Sequence, residues 1–436
     1  MAKTVSAVTS VLVFAVAIQS IGIAAGAPVG FSAHQIAGQE SRPALEAASG
    51  QAAPAEAAPP VSEFDRLGAE GNAALYNLDY AGARQIFQKM TDLGPDRPAG
   101  YVYLANNLWL ETLNANRRLS SSLYSSDSFY AQSAESDKTD QKRDREFNGL
   151  IKQAVAAAVA IQVKDPRNTE GLYYNAAALG LRAAYSATVG RSFRRAIGDA
   201  NDSILLYKKL LKVDPTYYDA YLSIGLYEYI VGSLPLGWKI LARLAGLKGS
   251  KERGIEHLET VAQQGKYTND DARVVLIGIY GREHKLDKAL GVISYLSDKY
   301  PRNYLFGVER AAMLYRASRK DEGQHAFAEL LKDQRTSQAA ADLVNYQWGE
   351  ALMASGDHAG AAEHYRRVIG WAKSDPGLVS LSHLHMGQAL DAAGKRQEAI
   401  AEYKIVLQRE NIFDSHERAR QGIKGPAQGS ASVRTR

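Results

Sequence analysis

His383 and His385 flank Leu384, a spacing that invites a metal-ion reading. On a helix, residues two apart point to nearly opposite sides, so these imidazoles cannot share an ion and are expected as isolated surface histidines. His416-Glu417 lacks the second histidine that a helix-borne zinc hydrolase requires. No nucleophile elbow G-x-S-x-G, no Walker loop and no H-E-x-x-H occurs. Glycoside hydrolysis needs two carboxylates converging in one pocket, and the 47 acidic residues are spread so evenly that spacing nominates no pair. There are no cysteines, which excludes disulfides, cysteine-ligated zinc, iron–sulfur clusters, thiol catalysis and a lipid-modified N-terminal cysteine. The chemistry therefore points away from an enzyme. It predicts neither cofactor nor metal, and leaves side chains suited to binding.

Those side chains ride on a recurring pattern. In LDYAGARQIFQKMTDLGP (78–95), Ala83, Phe87 and Met90 share one helical face, and Pro95 ends the helix. The same phase recurs as Ala289, Ile293, Leu296 and Pro301, and as Ser203, Tyr207, Leu210 and Pro215. It recurs again as Ala361, Tyr365 and Val368, then as Ala399, Tyr403 and Val406. In compact copies a glycine lies twelve positions earlier: Gly71 before Ala83, Gly349 before Ala361, Gly387 before Ala399. Two antiparallel helices approach closely where both present small residues, and aromatics fill the flanks.

This pattern resembles the tetratricopeptide repeat, a helix–turn–helix unit of 34 residues that stacks into a superhelix. It predicts an all-α, tetratricopeptide-type helical-hairpin solenoid over 63–413. About eight repeats start near 64, 98, 169, 218, 270, 304, 342 and 380. Three repeats are stretched. Ala105 to Ala154, Ala176 to Ser203 and Gly225 to Gly254 span 49, 27 and 29 positions where twelve is expected. These are read as insertions at the inter-helix turns of the second, third and fourth repeats. The second is serine-rich, then charged from Asp137 to Glu146, and holds Leu123, Tyr124, Phe129 and Tyr130. It is read either as a solvated excursion or as a cap on the groove rim. Residues 221–259 resemble a segment of a eukaryotic tetratricopeptide family linked to inclusion-body clearance and the mitochondrial outer membrane. The shared features are a leucine–proline break, a basic-apolar helix, a glycine pair and a charged helix start. That resemblance implies a shared architectural variant and carries no cellular role across.

The fourth insertion, GSLPLGWKILARLAGLKGSKERG (232–254), is apolar and purely cationic until Glu252. As a helix it is apolar around most of its circumference, which predicts burial against its neighbours. The alternative is contact with a membrane surface or a partner through Trp238, Lys239, Leu241 and Arg243. Twelve residues cannot span a bilayer, which needs about 20. In a superhelix the first helix of each repeat lines the concave groove. Phase then nominates Asn72, Tyr76, Val102, Asn106, Trp109, Tyr173, Leu222, Tyr229, Tyr315, Arg316, Tyr346 and Glu350 as groove residues. The resemblance also suggests a clamp for a terminal carboxylate. Asn72 and Asn106 match its residue types, but Gly68 and Glu170 stand where it wants lysine, so no such clamp is expected.

The ends are simpler. MAKTVSAVTSVLVFAVAIQSIGIAAGAP carries Lys3, an apolar core and small residues at Ala25-Gly26-Ala27, the layout of a secretory signal over 1–27. The alternative is an uncleaved anchor. Residues 28–62 are Ala/Pro-rich and read as a disordered linker. Residues 414–436 are read as a basic disordered tail, where cations exceed acids by three of the chain's net +5. Such a balance does not suggest nucleic-acid binding. The whole reads as a periplasmic or secreted scaffold that binds a protein or peptide in its concave groove and could support assembly of a cell-envelope complex. Two alternatives stand beside it: a peripheral membrane or envelope-tethered adaptor using residues 232–249 and the tail, and an envelope glycan hydrolase on a helical superhelix. Oligomeric state is left open.

Overall fold

Side-chain caps set many helix starts in the computed structural model, which describes residues 62–119, 140–190, 192–244 and 247–426. Ser62 Oγ accepts the Asp65 amide at 3.1 Å and opens α1 (Glu63–Tyr76). Asp79 Oδ1 accepts the Gly82 amide at 2.9 Å and opens α2 (Tyr80–Leu93). Pro98 begins α3 (Pro98–Ala115), where a missing N–H costs nothing. Asp140 caps α4 (Gln141–Lys164) and Asn168 caps α5 (Thr169–Thr188). Next come α6 (Phe193–Val213), a short 3-10 turn, α7 (Tyr221–Ser233), α8 (Leu236–Leu244) and α9 (Lys251–Gln264). Four further hairpins follow: α10 (Asn269–Arg282) with α11 (Leu286–Lys299), and α12 (Tyr304–Arg316) with α13 (Lys320–Lys332). Then come α14 (Gln334–Ser355) with α15 (His358–Gly370), and α16 (Pro376–Ala392) with α17 (Arg396–Val406). A last helix, α18 (Ser415–Lys424), packs on α16 and α17. No strand occurs among the described residues. The expected all-α solenoid of helical hairpins is what the chain forms, and seven of the eight expected starts fall within four residues of a helix start. The seventh hairpin begins early, at Gln334, and bends at Ala340 (φ −151°, ψ 26°).

The small-residue slots do what their spacing implies. A Cβ on Gly387 would sit 2.6 Å from the Tyr403 ring, and one on Gly349 would sit 2.7 Å from the Tyr365 ring. In the fourth hairpin backbone meets backbone: a Cβ on Gly254 would lie 2.5 Å from Tyr229 N and 2.6 Å from Gly225 O. Ser203 takes the slot in the third, donating its hydroxyl to Ala176 O at 2.7 Å. The two helices of a hairpin differ in burial. α5 buries sixteen of its twenty residues, whereas α2 buries only the stripe Ala83, Phe87, Met90 and Thr91. First helices form an inner layer covered on several sides, and second helices form an amphipathic outer layer.

Three expectations need correcting. The third repeat is stretched mainly by longer helices rather than by a loop: α5 and α6 have 20 and 21 residues, against 14 in α1 and α2. Residues 120–139, including Leu123, Tyr124, Phe129 and Tyr130, lie outside the described residues, but the charged stretch after them is the start of α4. There Arg143 pairs with Glu111 at 3.3 Å, and Glu146 pairs with Arg84. The tail is not disordered from 414, because α18 seats Ala419 and Ser415 in the core and lays Gly422 on the Tyr403 ring.

Candidate functional site

Inside the superhelix, side chains of several repeats meet. Tyr173 packs against Tyr174, Tyr217, Tyr207 and Tyr267, with ring centroids 5.0, 5.1, 5.9 and 6.3 Å away. Burial pushes the Tyr173 and Tyr174 hydroxyls well above the usual phenol range, so they stay neutral. Asp219 locks the Lys266–Thr268 turn over this cluster by accepting amides from Lys266, Tyr267 and Thr268 at 3.0, 2.7 and 2.7 Å.

This placement changes the standing of the groove residues. Asn72, Tyr76, Val102, Asn106, Trp109, Tyr173, Leu222, Tyr229, Tyr315 and Tyr346 are all buried. Trp109 donates Nε1–H to Thr188 at 2.9 Å, Tyr229 donates to Glu283 at 2.8 Å, and Tyr315 accepts from Trp348 at 3.1 Å. Arg316 is exposed but gives its guanidinium to Gly281 O at 2.6 Å. The buried ones pack against other helices rather than facing solvent.

The closure has a seam. The turns ending α1 and α3 dock onto repeats five to seven, about 200 residues downstream. Tyr76 donates its hydroxyl to buried Asp271 and stacks on Tyr300 at 4.7 Å. Asn303 Nδ2 donates to Tyr76 O at 2.7 Å, and the Arg302 amide donates to Asn77 Oδ1 at 3.2 Å. Arg117 adds an ion pair to the seam. Its guanidinium grips Asp342 through Nε at 3.1 Å and Nη2 at 3.0 Å, and Nη2 also donates to Ala339 O at 2.6 Å. The Asp342 side chain is 0% exposed and that of Arg117 is 13% exposed. Asp342 also accepts amides from Leu343 and Asp375 at 2.8 and 3.0 Å. Burial, with the Asp342 carboxylate nearby, pushes the Asp375 carboxyl up. Arg118 reaches further still, its guanidinium 5.2 Å from the Phe413 ring centroid.

Where the two edges of the seam do not meet, a cleft of about 1340 Å³ opens. One wall is the turn segments around Asn77–Tyr80 and Asn114–Arg117, and the other is α12, α13 and the start of α14. Its carboxylates are mostly engaged: Glu322 with Arg319 at 2.6 Å, Glu329 with Lys332 at 2.7 Å, and Asp333 with the Thr336 amide at 2.8 Å. Arg310 and Arg335 line the cleft, are exposed, and form no ion pair among the described residues. Tyr80 and Tyr304 supply ring surface on the facing walls. None of these residues stood out in the sequence. Most sit in turns or near helix ends, away from the phased inner slots, and the two walls lie too far apart along the chain for periodicity to report.

The histidines also need correcting. His383 and His385 do point apart, as their spacing requires, but neither is a surface residue free of partners. His383 Nδ1 lies 2.6 Å from Glu402, and His385 Nδ1 lies 2.5 Å from Glu350. Tyr365 donates to the same Glu350 oxygen at 2.5 Å, and Arg418 Nη2 approaches His385 Nε2 at 3.2 Å. Burial alone would raise the Glu350 carboxyl. His385, Tyr365 and Arg418 outweigh it, and the group sits below its usual range. Glu350 on Nδ1 and Arg418 beside Nε2 engage both ring nitrogens of His385. Glu350 and Tyr346 thus meet in one polar cluster, whose role is to tie α14, α15, α16 and α18 together. The described residues contain no group of three or more potential ligands that could hold a metal ion.

α8 stands apart from all this. Against the expectation of burial, Leu236 and Ile240 are exposed, Arg243 is exposed and Lys239 is half-buried. The side chains of Trp238 and Leu241 lie outside the described residues. No described helix is long and apolar enough to cross a membrane.

No family model and no curated protein matches the sequence. Among solved structures, the chain is similar to a tetratricopeptide repeat protein from Parabacteroides merdae, at 13% identity over 74% of this chain and 98% of that one, TM-score 0.33. It is similar to yeast Tom70 at 11% identity over 81% and 86%, TM-score 0.39. It is also similar to the human IFIT1 dimer with m7Gppp-AAAA at 12% identity over 84% and 81%, TM-score 0.42. Helical hairpins nested through Gly–aromatic contacts and stacked in one continuous superhelix make the architecture of this chain a tetratricopeptide-type solenoid.

Proposed function

We propose that this protein is an exported, non-catalytic scaffold that holds a segment of a partner protein in the seam cleft. One observation carries this reading: the residues that phase assigned to the groove are nearly all buried, while a cleft of about 1340 Å³ stays open between turns of the first two repeats and helices of the sixth and seventh. A volume of that size takes several residues of extended chain, whereas typical small-molecule pockets run to about 300–1,000 Å³. The exposed arginines Arg310 and Arg335 favour a segment carrying carboxylates, which a guanidinium binds bidentately. Export rests on the apolar, lysine-led residues 1–27. A role in a cell-envelope assembly follows from export and binding together.

A photo-crosslinking residue at His325, inside the cleft, tests the reading against the same residue at Lys209 on the outer layer. The cleft position should capture a defined protein that the outer position does not. Reversing charge with Arg310→Glu and Arg335→Glu should abolish the capture while helix content is kept. Equal capture from both positions, or capture insensitive to the reversal, would remove the cleft from the account. Mass spectrometry of the processed protein tests export, which predicts loss of residues 1–27.

A further inference from the structure

The insertion helix α8 presents a surface the rest of the molecule does not use. Leu236 is 76% exposed and Ile240 is 54% exposed, and with Arg243 they follow the i, i+4, i+7 line of one helical face. The base beneath is firmly held. Val231 and Leu234 form their own small apolar cluster with Tyr227 and Leu247, and Gly249 lies so near α7 that a Cβ there would sit 2.6 Å from Glu228 O. The apolar ridge is therefore displayed by a packed stem.

Charge says what covers it. From Leu236 to Lys251 there is no carboxylate, but there are Lys239, Arg243, Lys248 and Lys251. Lys251 turns inward to Glu283 at 2.7 Å. The other three cations make no ion pair among the described residues, although Lys239 lies near enough to Glu252 to help lower its carboxyl. On a chain whose net charge is only +5, this is a local excess bordering exposed leucine and isoleucine. An apolar ridge rimmed by one sign of charge matches an anionic bilayer. Apolar side chains sink to the headgroup–acyl boundary while cations meet phosphates. Nine residues suit a helix lying in the interface plane and cannot cross it.

We propose that α8 seats the protein on an anionic lipid surface, with Leu236 and Ile240 inserted and Lys239, Arg243 and Lys248 on lipid phosphates. The seam cleft then stays free for its protein partner.

Because the full chain has no cysteine, Ile240→Cys can carry a single nitrobenzoxadiazole label. Val163→Cys, at an exposed apolar residue of α4, is the control. Vesicles of phosphatidylcholine doped with phosphatidylglycerol should brighten and blue-shift the label at 240 and leave that at 163 unchanged. Vesicles of phosphatidylcholine alone should have little effect. Adding Lys239→Gln and Arg243→Gln should weaken binding about 25-fold, about fivefold for each cation removed from the surface. Site-specific labels keep this readout separate from any contribution of the N-terminal apolar segment. An unchanged label at 240, equal responses at 240 and 163, or equal responses to charged and neutral vesicles would overturn the proposal.

Discussion

Replacing Arg117 with alanine should unlatch the seam. The guanidinium makes two bonds to a carboxylate that is 0% exposed and a third to Ala339 O. Removing one partner of a buried ion pair costs about 3–5 kcal/mol, mostly because the other charge is stranded. Asp342 keeps its amide bonds from Leu343 and Asp375, so the lower end, about 3 kcal/mol, is expected. Arg117 also sits at φ 54°, a left-handed conformation that alanine retains, so the loss reports the side chain alone. Arg117→Gly relieves that strain and should lose about 1 kcal/mol less. Long repeat arrays need not unfold in one step, so hydrogen exchange at the Leu343 and Asp375 amides is the appropriate assay. A local loss of about 3 kcal/mol should speed their exchange about 150-fold. Arg84→Ala, which removes a half-exposed pair with Glu146, is the surface control and should cost no more than about 1 kcal/mol. Exchange accelerated less than about fivefold, or no more than in Arg84→Ala, would refute the latch.

Three other outcomes follow from the same packing. Gly254→Ala places a methyl against the backbone of α7, which cannot step aside. It should lower protection of α7 and α9 by about 1–3 kcal/mol, with unchanged exchange as the contrary result. Tyr76→Phe leaves buried Asp271 without its seam hydroxyl and should cost about 1–3 kcal/mol, read as faster exchange of the Arg302 amide that Asn77 accepts. His364 stacks on Trp348 at 4.1 Å, donates Nδ1–H to Asn345 at 2.9 Å, and is pushed down to about 4 by burial and then by Arg367. A lowered histidine contributes stability that is full above about 6.5 and is lost as pH falls toward 4, so wild type should lose about 2 kcal/mol between pH 7 and pH 5 through this residue. Urea unfolding of wild type and His364→Phe should show that extra acid sensitivity in wild type only, and parallel pH dependence in both would contradict it.

Contacts between neighbours in the chain were legible in the sequence, and contacts across the superhelix were not. The Gly–aromatic slots of Gly349 with Tyr365 and Gly387 with Tyr403 are set by helical phase, so spacing alone located the hairpins. The seam joins residues 195 to 227 positions apart, and periodicity carries no information at that range. It also uses turn residues such as Asn77 and Arg117, which a search along helical faces passes over. Which groove residues are buried, Trp109 and Tyr229 among them, was not legible because phase gives the direction of a side chain but not the radius of the coil it points into. Glu402 and Glu350 lie 19 and 35 positions from the histidines they hold, so the pair looked solitary in the sequence. In α18, SHERARQGIK is too polar to suggest a packed helix. Its small residues Ala419 and Gly422 dock it against Tyr403.

Closure of the superhelix on itself underlies the buried inner face, the latch and the open cleft alike. It can be read with one pair of introduced thiols, Asn77→Cys and Arg302→Cys, in a chain that otherwise has none. Asn77 Oδ1 and the Arg302 amide lie 3.2 Å apart, so a short bis-maleimide should join the two thiols within one molecule, rapidly and nearly completely, at low protein concentration. Failure to cross-link, or linkage only between molecules, would show an open coil and contradict the closed one.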